Sequence, residues 1–436
     1  MVPRASILAL LIFVLIPPIT TARDHHGFRG TLTRIHQLAP GKHSEAVRRD
    51  SRRIDFLSYT STVVVAATNP SASAQGVVKT GGGAYHMNLS MGTPPLTFPV
   101  IVDTGSSLIW TQCAPCTKCF PQPTPLFQPS SSSTFSKLPC DSSFCQSLPD
   151  SIRKCNATGC IYDYHYGIGY TAGYLATETL SVGEKSSFRN VTFGCSTENG
   201  GPMDNTSGIV GLGRRSLSLV SQLGVGRFSY CLSSDPAGSS PIMFGSVANV
   251  TGTNVQSTPL VENPVAPGAS YYYVNLTGIT VGATDLPITS STFGFASDGT
   301  GGTIVDSGAT MTYLAEAGYA MVKEAFLSQM GNQTRVNDER IGLDVCFTSN
   351  GGGDVPVPRL VLRFAGAEYA VPRKGYFDAA AVDKQGRVVV ECLMVLPPKG
   401  NISLSIIGNM MQMDKHVLYD LDGRRFSFAP ADCAKV

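Results

Sequence analysis

The chain has 436 residues, with 33 Lys+Arg against 31 Asp+Glu and a formal charge of +2. The near-neutral sum argues against a nucleic-acid partner, whose phosphates are bound by an excess of Lys and Arg. Charged residues make up only 15%, while Gly (45), Pro (28) and Cys (12) are frequent, which suits a turn-rich β protein of two or three folding units better than a helical one.

Arg4 is followed by twelve mostly apolar residues, Ala5 to Ile16, then by Pro17, Pro18 and the small residues Thr20, Thr21 and Ala22. This is the layout of a secretory signal peptide over residues 1–22, and the run is well short of the roughly 20 residues that span a bilayer. No later stretch qualifies, so no membrane anchor is expected. Residues 23–79 read as a propeptide and linker. They hold nine Lys/Arg against four Asp/Glu, whereas residues 80–436 hold 23 against 27, so a basic leader precedes a mildly acidic body. The spacing allows a helix over His43–Tyr59, which includes the run Arg48-Arg49-Asp50-Ser51-Arg52-Arg53. That run is either a solvated helix face or the part of a propeptide that docks on the body. The Ser/Ala/Thr/Asn-rich stretch 66–75 reads as a linker.

From Gly81 onward, short apolar runs alternate with turn signals. Tyr85–Leu89, Phe98–Val102, Gly173–Leu180, Val191–Cys195, Pro241–Gly245, Tyr271–Val281, Thr303–Val305, Val390–Val395 and Phe426–Ala429 are expected strands of an all-β fold. Glu316–Met330, with Tyr319, Val322, Phe326 and Met330 on one face, is the one clear helix of the body. Twelve cysteines in a secreted chain predict six disulfides. The cluster Cys113-x-x-Cys116-x-x-Cys119 therefore reads as a stapled loop and not as a zinc site, and no metal or cofactor is expected. Eight glycosylation sequons, at Asn88, Asn156, Asn190, Asn205, Asn249, Asn275, Asn332 and Asn401, agree with secretion. Asn88 falls in an expected strand and is the one least suited to carry a glycan.

An internal repeat decides the reading. Phe98-Pro-Val-Ile-Val-Asp103-Thr-Gly-Ser-Ser recurs as Gly302-Thr-Ile-Val-Asp306-Ser-Gly-Ala-Thr. About one hundred residues after each comes an apolar-apolar-Gly tripeptide, Ile209-Val210-Gly211 and Ile406-Ile407-Gly408. Two matched units imply two lobes related by a pseudo-two-fold axis. Each apolar strand would deliver an aspartate to the interface. Gly105 and Gly308 let the backbones approach without a Cβ clash, and Thr104 and Ser307 can bond across the axis. Two carboxylates facing one another in a poorly solvated cleft cannot both ionise, so they share a proton; the aspartic-protease dyad is the standing example of such coupling. The ionised member can deprotonate water and the protonated one can donate to a carbonyl oxygen, which is general acid–base hydrolysis of an amide. The motifs of zinc peptidases, serine hydrolases and phosphate-binding loops are absent from the sequence, and four of the seven His lie in the leader.

With these residues the chain resembles the pepsin-type aspartic endopeptidases, and within them the plant nepenthesin-like or atypical group. The resemblance is carried by Tyr85–Pro94, Val102–Trp110, the Cys113–Cys119 cluster, Gly208–Gly213, Arg227–Cys231, Val305–Gly308 and Ile406–Asn409. It implies a bilobal all-β fold, with residues 80–255 and 256–436 as the two catalytic lobes and a cleft between them. It implies Asp103 and Asp306 as catalytic residues, supported by Thr104, Gly105, Ser106, Ser307 and Gly308. It further implies a flap whose Tyr166 is bonded by Trp110, and disulfides Cys113–Cys116, Cys119–Cys195, Cys140–Cys160, Cys145–Cys155, Cys231–Cys433 and Cys346–Cys392. Expected with it are a zymogen, activity at acid pH, polypeptide substrates, inhibition by pepstatin-like compounds, a monomeric state, and an extracellular or vacuolar location. Three departures stand out: Ala309 replaces the usual Thr or Ser, the flap sequence Tyr166-Gly-Ile-Gly-Tyr170-Thr is short, and no saposin-like insert is present. The first two leave room for a second reading, a protease-like binding protein of the glycosidase-inhibitor type.

Overall fold

The computed structural model describes residues 27–35, 40–62 and 83–436, apart from 167–168, 184–185, 202, 204, 236, 253, 266–269, 350–353 and 401. The expected signal peptide, the linker 66–75 and the sequon at Asn401 lie outside the described residues.

The repeat becomes two copies of one motif. Leu96–Asp103 and Gly208–Gly211 pair in parallel, with Val102 opposite Val210 and Asp103 opposite Gly211. Thr303–Val305 and Ser405–Ile407 pair in the same sense, with Ile304 opposite Ile406. In each copy a third strand crosses antiparallel, Trp110–Gln112 in the first and Thr312–Tyr313 in the second. The partners are buried throughout and, apart from Ser405, β-branched or apolar, as expected of a strand covered on both faces. The companion tripeptides are thus the parallel neighbours that fix the height at which each aspartate leaves its strand.

A shared antiparallel sheet joins the halves. Arg227–Cys231 pairs with Ser240–Phe244 on one side and with Lys415–Asp420 on the other, and Lys415–Asp420 pairs with Arg425–Pro430. Phe228 is fully buried here and stacks on Tyr419 with ring centroids 4.6 Å apart. Two further four-stranded sheets belong to the second half, and Glu316–Gln329 is its long helix. The expected strand Tyr271–Val281 is split into Tyr273–Val274 and Leu276–Val281.

The leader is part of this architecture. Phe28–Arg34 inserts as a strand between Ser240–Phe244 and Tyr85–Met91, antiparallel to both. Only Phe28 and Leu32 of that strand are buried. His43–Thr62 is a helix that buries His43, Ala46, Asp50, Ile54 and Leu57, a stripe at three- and four-residue spacing.

The disulfides correct four of the expected pairs. Cys113 bonds to Cys195 and Cys116 to Cys119, replacing Cys113–Cys116 and Cys119–Cys195. The cause is register: Trp110–Gln112 runs parallel to Ser186–Gly200 with Thr111 opposite Cys195, which leaves Cys113 and Cys195 with Cα atoms 5.4 Å apart. Cys140 bonds to Cys155 and Cys145 to Cys160, replacing Cys140–Cys160 and Cys145–Cys155. Here depth sorts the partners. Cys145 and Cys160 are both fully buried in one cluster with Leu148 and Tyr162, while Cys140 and Cys155 lie at its rim. Cys231–Cys433 and Cys346–Cys392 also form.

Because the shared sheet rests on the Phe228–Tyr419 stack, Phe228→Ala should lower stability by about 3–5 kcal/mol, the usual range for truncating a buried aromatic. Urea unfolding followed by tryptophan fluorescence would measure it.

Candidate functional site

Asp103 ends its strand and Asp306 directly follows its own at the junction of the halves, and both side chains are buried. The turns that follow clasp each other. Thr104 N–H donates to Ser307 Oγ at 3.1 Å, and Ser307 N–H donates to Thr104 Oγ1 at 2.9 Å. Ser307 Oγ in turn donates to the Val102 carbonyl at 3.2 Å. Each hydroxyl thus accepts from the opposite backbone, which locks the two turns in mutual register. The glycines are required by proximity. A Cβ on Gly308 would lie 2.5 Å from Asp103 Oδ1, and one on Gly105 would lie 2.8 Å from Asp306 Oδ1.

Each carboxylate accepts from the glycine of its own turn, Gly105 N–H to Asp103 Oδ1 at 3.0 Å and Gly308 N–H to Asp306 Oδ1 at 2.9 Å. Ser106 Oγ adds a 2.5 Å bond to Asp103 Oδ2. Burial pushes the Asp306 carboxyl above the ordinary range and the neighbouring Asp103 adds to this, while the Arg53 guanidinium opposes it.

Arg53 comes from the leader helix and sits between the aspartates. Its Nη2 is 2.5 Å from Asp103 Oδ1 and 2.8 Å from Asp306 Oδ1, and its Nε is 2.7 Å from Asp306 Oδ2. Burial works against the cation, yet the two carboxylates hold its pKa well above the usual arginine value. One turn earlier, Asp50 Oδ2 accepts the backbone N–H of Thr310 at 3.0 Å and of Met311 at 2.9 Å, and Arg49 bonds to Thr310 Oγ1. Burial raises the Asp50 carboxyl, against Arg49 and those two N–H donors. The helix therefore rests on the residues directly after the second aspartate turn. Neither Arg53 nor Asp50 was singled out by sequence. The available signal was the stripe Ala46, Asp50, Ile54, Leu57, which places an acid inside a buried face.

Over the site hangs a hairpin formed by Gly159–Tyr166 and Gly169–Val182, with Tyr166 opposite Gly169. Trp110 Nε1 donates to Tyr166 Oη at 2.9 Å. Tyr164 packs beside Tyr166 with centroids 4.9 Å apart, and Phe56 of the leader helix reaches both rings at 6.2 and 6.3 Å. Tyr162, on the same strand, is turned into the core and bonds to Thr171. Among the described residues no cluster of three or more His, Cys, Asp or Glu could hold a metal, and no helix is long and apolar enough to cross a membrane. The seven described sequon asparagines are all exposed, Asn88 included, since its strand position faces outward.

Two β halves, each presenting one aspartate to a common axis beneath a tyrosine-bearing hairpin, define the pepsin-like class. Family models agree: the xylanase inhibitor N-terminal model matches residues 85–246 and the xylanase inhibitor C-terminal model residues 271–430. The chain is 40% identical to aspartic proteinase nepenthesin-2 of Nepenthes gracilis, over 98% of this chain and 97% of that protein. It is 41% identical to nepenthesin-1 of the same plant, over 89% and 85%. Among solved structures, basic 7S globulin from soybean superposes with a TM-score of 0.63 at 22% identity, covering 80% of this chain and 93% of that one, a likeness of fold alone. The chain belongs to the nepenthesin-like family of plant aspartic proteinases.

Breaking a buried ion pair by removing one partner costs about 3–5 kcal/mol. Arg53→Gln should therefore destabilise the full chain, and more so near pH 7 than near pH 3. The sign follows from Asp306: its folded pKa is raised, so its favourable contribution is present at low pH and is lost as pH rises through that pKa. Removing the cation lifts that pKa further and deepens the loss at neutral pH. Thermal melts of both proteins at the two pH values would measure it.

Proposed function

We propose that the protein is a secreted aspartic endopeptidase, made as a zymogen, in which Asp103 and Asp306 activate a water for attack on a peptide carbonyl. The observation that carries this is the single nitrogen, Arg53 Nη2, within hydrogen-bond reach of both carboxylates. A water at that position would bond to both. One carboxylate takes a proton from it as its oxygen joins the carbonyl carbon, and the other gives its proton to the carbonyl oxygen. The tetrahedral diol then collapses, a proton passes to the departing amide nitrogen, and the C–N bond breaks with no covalent enzyme intermediate. Tyr166, held by Trp110, closes the flap over a bound polypeptide and limits water access. Pepstatin-like compounds would compete for the same cleft, and the enzyme would act as a monomer. The named relatives support the reading, as does the intact pair of turns.

The leader, residues 23–79, keeps the enzyme latent. Arg53 occupies the place of the water and Phe56 lies against the flap tyrosines. Acid releases it by a definite route. Arg53 favours the ionised pair, so docking the leader expels protons from the carboxylates. Lowering the pH returns those protons and weakens docking. Residues 1–22 direct the chain to the secretory route, and the exposed sequon asparagines carry glycans. An extracellular or vacuolar destination agrees with acid activation.

The family models are named for xylanase inhibitors, which favours a second reading as a protein that binds a glycosidase without cleaving peptides. Purified full-length protein should settle the choice. At pH 3–4 the wild type should shorten to a species beginning between residues 63 and 83 and digest denatured haemoglobin, with pepstatin blocking digestion. Asp103→Asn should lose about 10²–10⁴-fold in cleavage, the range of general acid–base catalysis. Pepstatin-insensitive inertness at every pH, together with tight binding to a xylanase, would reverse the assignment. Separately, wild-type activity appearing with the N-terminus still near Arg23 would refute the latency mechanism.

A further inference from the structure

Nearly every bond around one aspartate has its counterpart around the other. Both accept from the glycine two residues on, and the hydroxyls of Thr104 and Ser307 are exchanged across the axis. The symmetry breaks at one place. Ser106 Oγ donates to Asp103 Oδ2, whereas the matching residue of the second turn is Ala309, wholly buried and with only a methyl to offer. In the latent chain Arg53 Nε donates to Asp306 Oδ2 at 2.7 Å. Arg53 thus gives Asp306 what Ser106 gives Asp103. Among the described residues, no other group donates to Asp306 Oδ2, so that oxygen loses its donor when the leader departs.

We propose that Ala309 is a positioning residue that localises the shared proton on Oδ2 of Asp306, making Asp306 the acid and Asp103 the base of the first step. A donated hydrogen bond stabilises an ionised carboxylate, roughly twice as strongly as a neutral acceptor. The carboxylate that keeps its hydroxyl donor is the better place for the negative charge. The one left without a donor is the better place for the proton, and its O–H is then free to donate to the substrate carbonyl. Water gives one proton to Asp103 while Asp306 gives one to the carbonyl oxygen, so the pair stays singly protonated through the diol. The other ionisable groups facing Asp306 are Asp103, the leader's Arg53, and Tyr230 and Tyr419 of the shared sheet. Burial lifts both tyrosines, which stay neutral throughout the acid range, and Arg53 leaves with the leader. Only the pair titrates. The inference rests on the endopeptidase reading.

The test is the pH profile of kcat/KM for a fluorogenic peptide, from pH 2 to 7, with acid-processed wild type, Ala309→Ser and Ser106→Ala. The two limbs report the two proton steps of the pair. A hydroxyl at 309 helps Asp306 only when both members are ionised, so Ala309→Ser should move the alkaline limb about half to one pH unit toward acid and leave the acid limb in place. Ser106→Ala weakens the singly ionised pair relative to the neutral pair and should raise the acid limb instead. A merely structural role would lower the plateau and move neither limb. The proposal is overturned if Ala309→Ser shifts the acid limb, or if both limbs stay put. Should that variant fail to fold, the Ser106→Ala profile decides alone: an alkaline-limb shift there places the proton on Asp103. Absence of cleavage by the processed wild type would instead remove the endopeptidase reading, and this inference with it.

Discussion

Two carboxylates in one buried cleft repel each other and resist ionisation together. The rest of the structure follows from holding them there. The parallel pairing of Asp103 with Gly211, and the matched pairing of Thr303–Val305 with Ser405–Ile407, set the depth at which each turn begins. Glycines at 105 and 308 allow the approach, because a side chain at either would meet the opposite carboxylate. The crossed hydroxyl bonds of Thr104 and Ser307 fix the turns against the repulsion. No step can be relaxed alone, since a shift at one turn removes an acceptor from the other.

Arg53 answers the same constraint from outside the body. Its guanidinium is planar and carries donors in a fixed fork, which lets one side chain bond to all four oxygens of the two carboxylates at once. A lysine could neutralise the charge but could not reproduce that geometry. Because Phe28–Arg34 is a strand of the body's sheet and His43–Thr62 bridges to the flap tyrosines, the leader contributes both backbone pairing and charge. In the full chain, the latency proposed above and folding would draw on the same contacts.

The sequence made the centre of the molecule legible and its periphery less so. Asp103, Asp306 and their turns could be read because the chemistry demands particular residue types at fixed spacing, whereas the Trp110–Tyr166 bond came only from the family resemblance. The leader strand could not. Its burial alternates strictly, but the inward positions 30 and 34 are Gly and Arg, so only Phe28 and Leu32 carry the apolar signal that marks a half-buried strand in sequence. Arg53 was hidden for another reason: within Arg48–Arg53 nothing local separates it from Arg52, and only the docked partner picks it out. The disulfide pairs implied by the resemblance failed where strand register and depth choose the partner. Cys113 lies three residues from Cys116, but the neighbouring strand brings Cys195 alongside it.

The leader carries two buried charge centres, and they respond to acid in opposite directions. Burial raises the Asp50 carboxyl in the docked helix, so protonation there favours docking; a neutral carboxyl still offers a carbonyl oxygen to the N–H groups of Thr310 and Met311. Arg53 acts on the aspartate pair in the other sense, favouring the ionised form that acid removes. If acid releases the leader, as proposed above, the trigger lies in the body's own carboxylates and not in the leader's acid. Under the proposed function that arrangement would couple release of the leader to the protonation state that hydrolysis requires: the proton that weakens Arg53's hold would be the same proton that the freed pair needs to polarise a carbonyl.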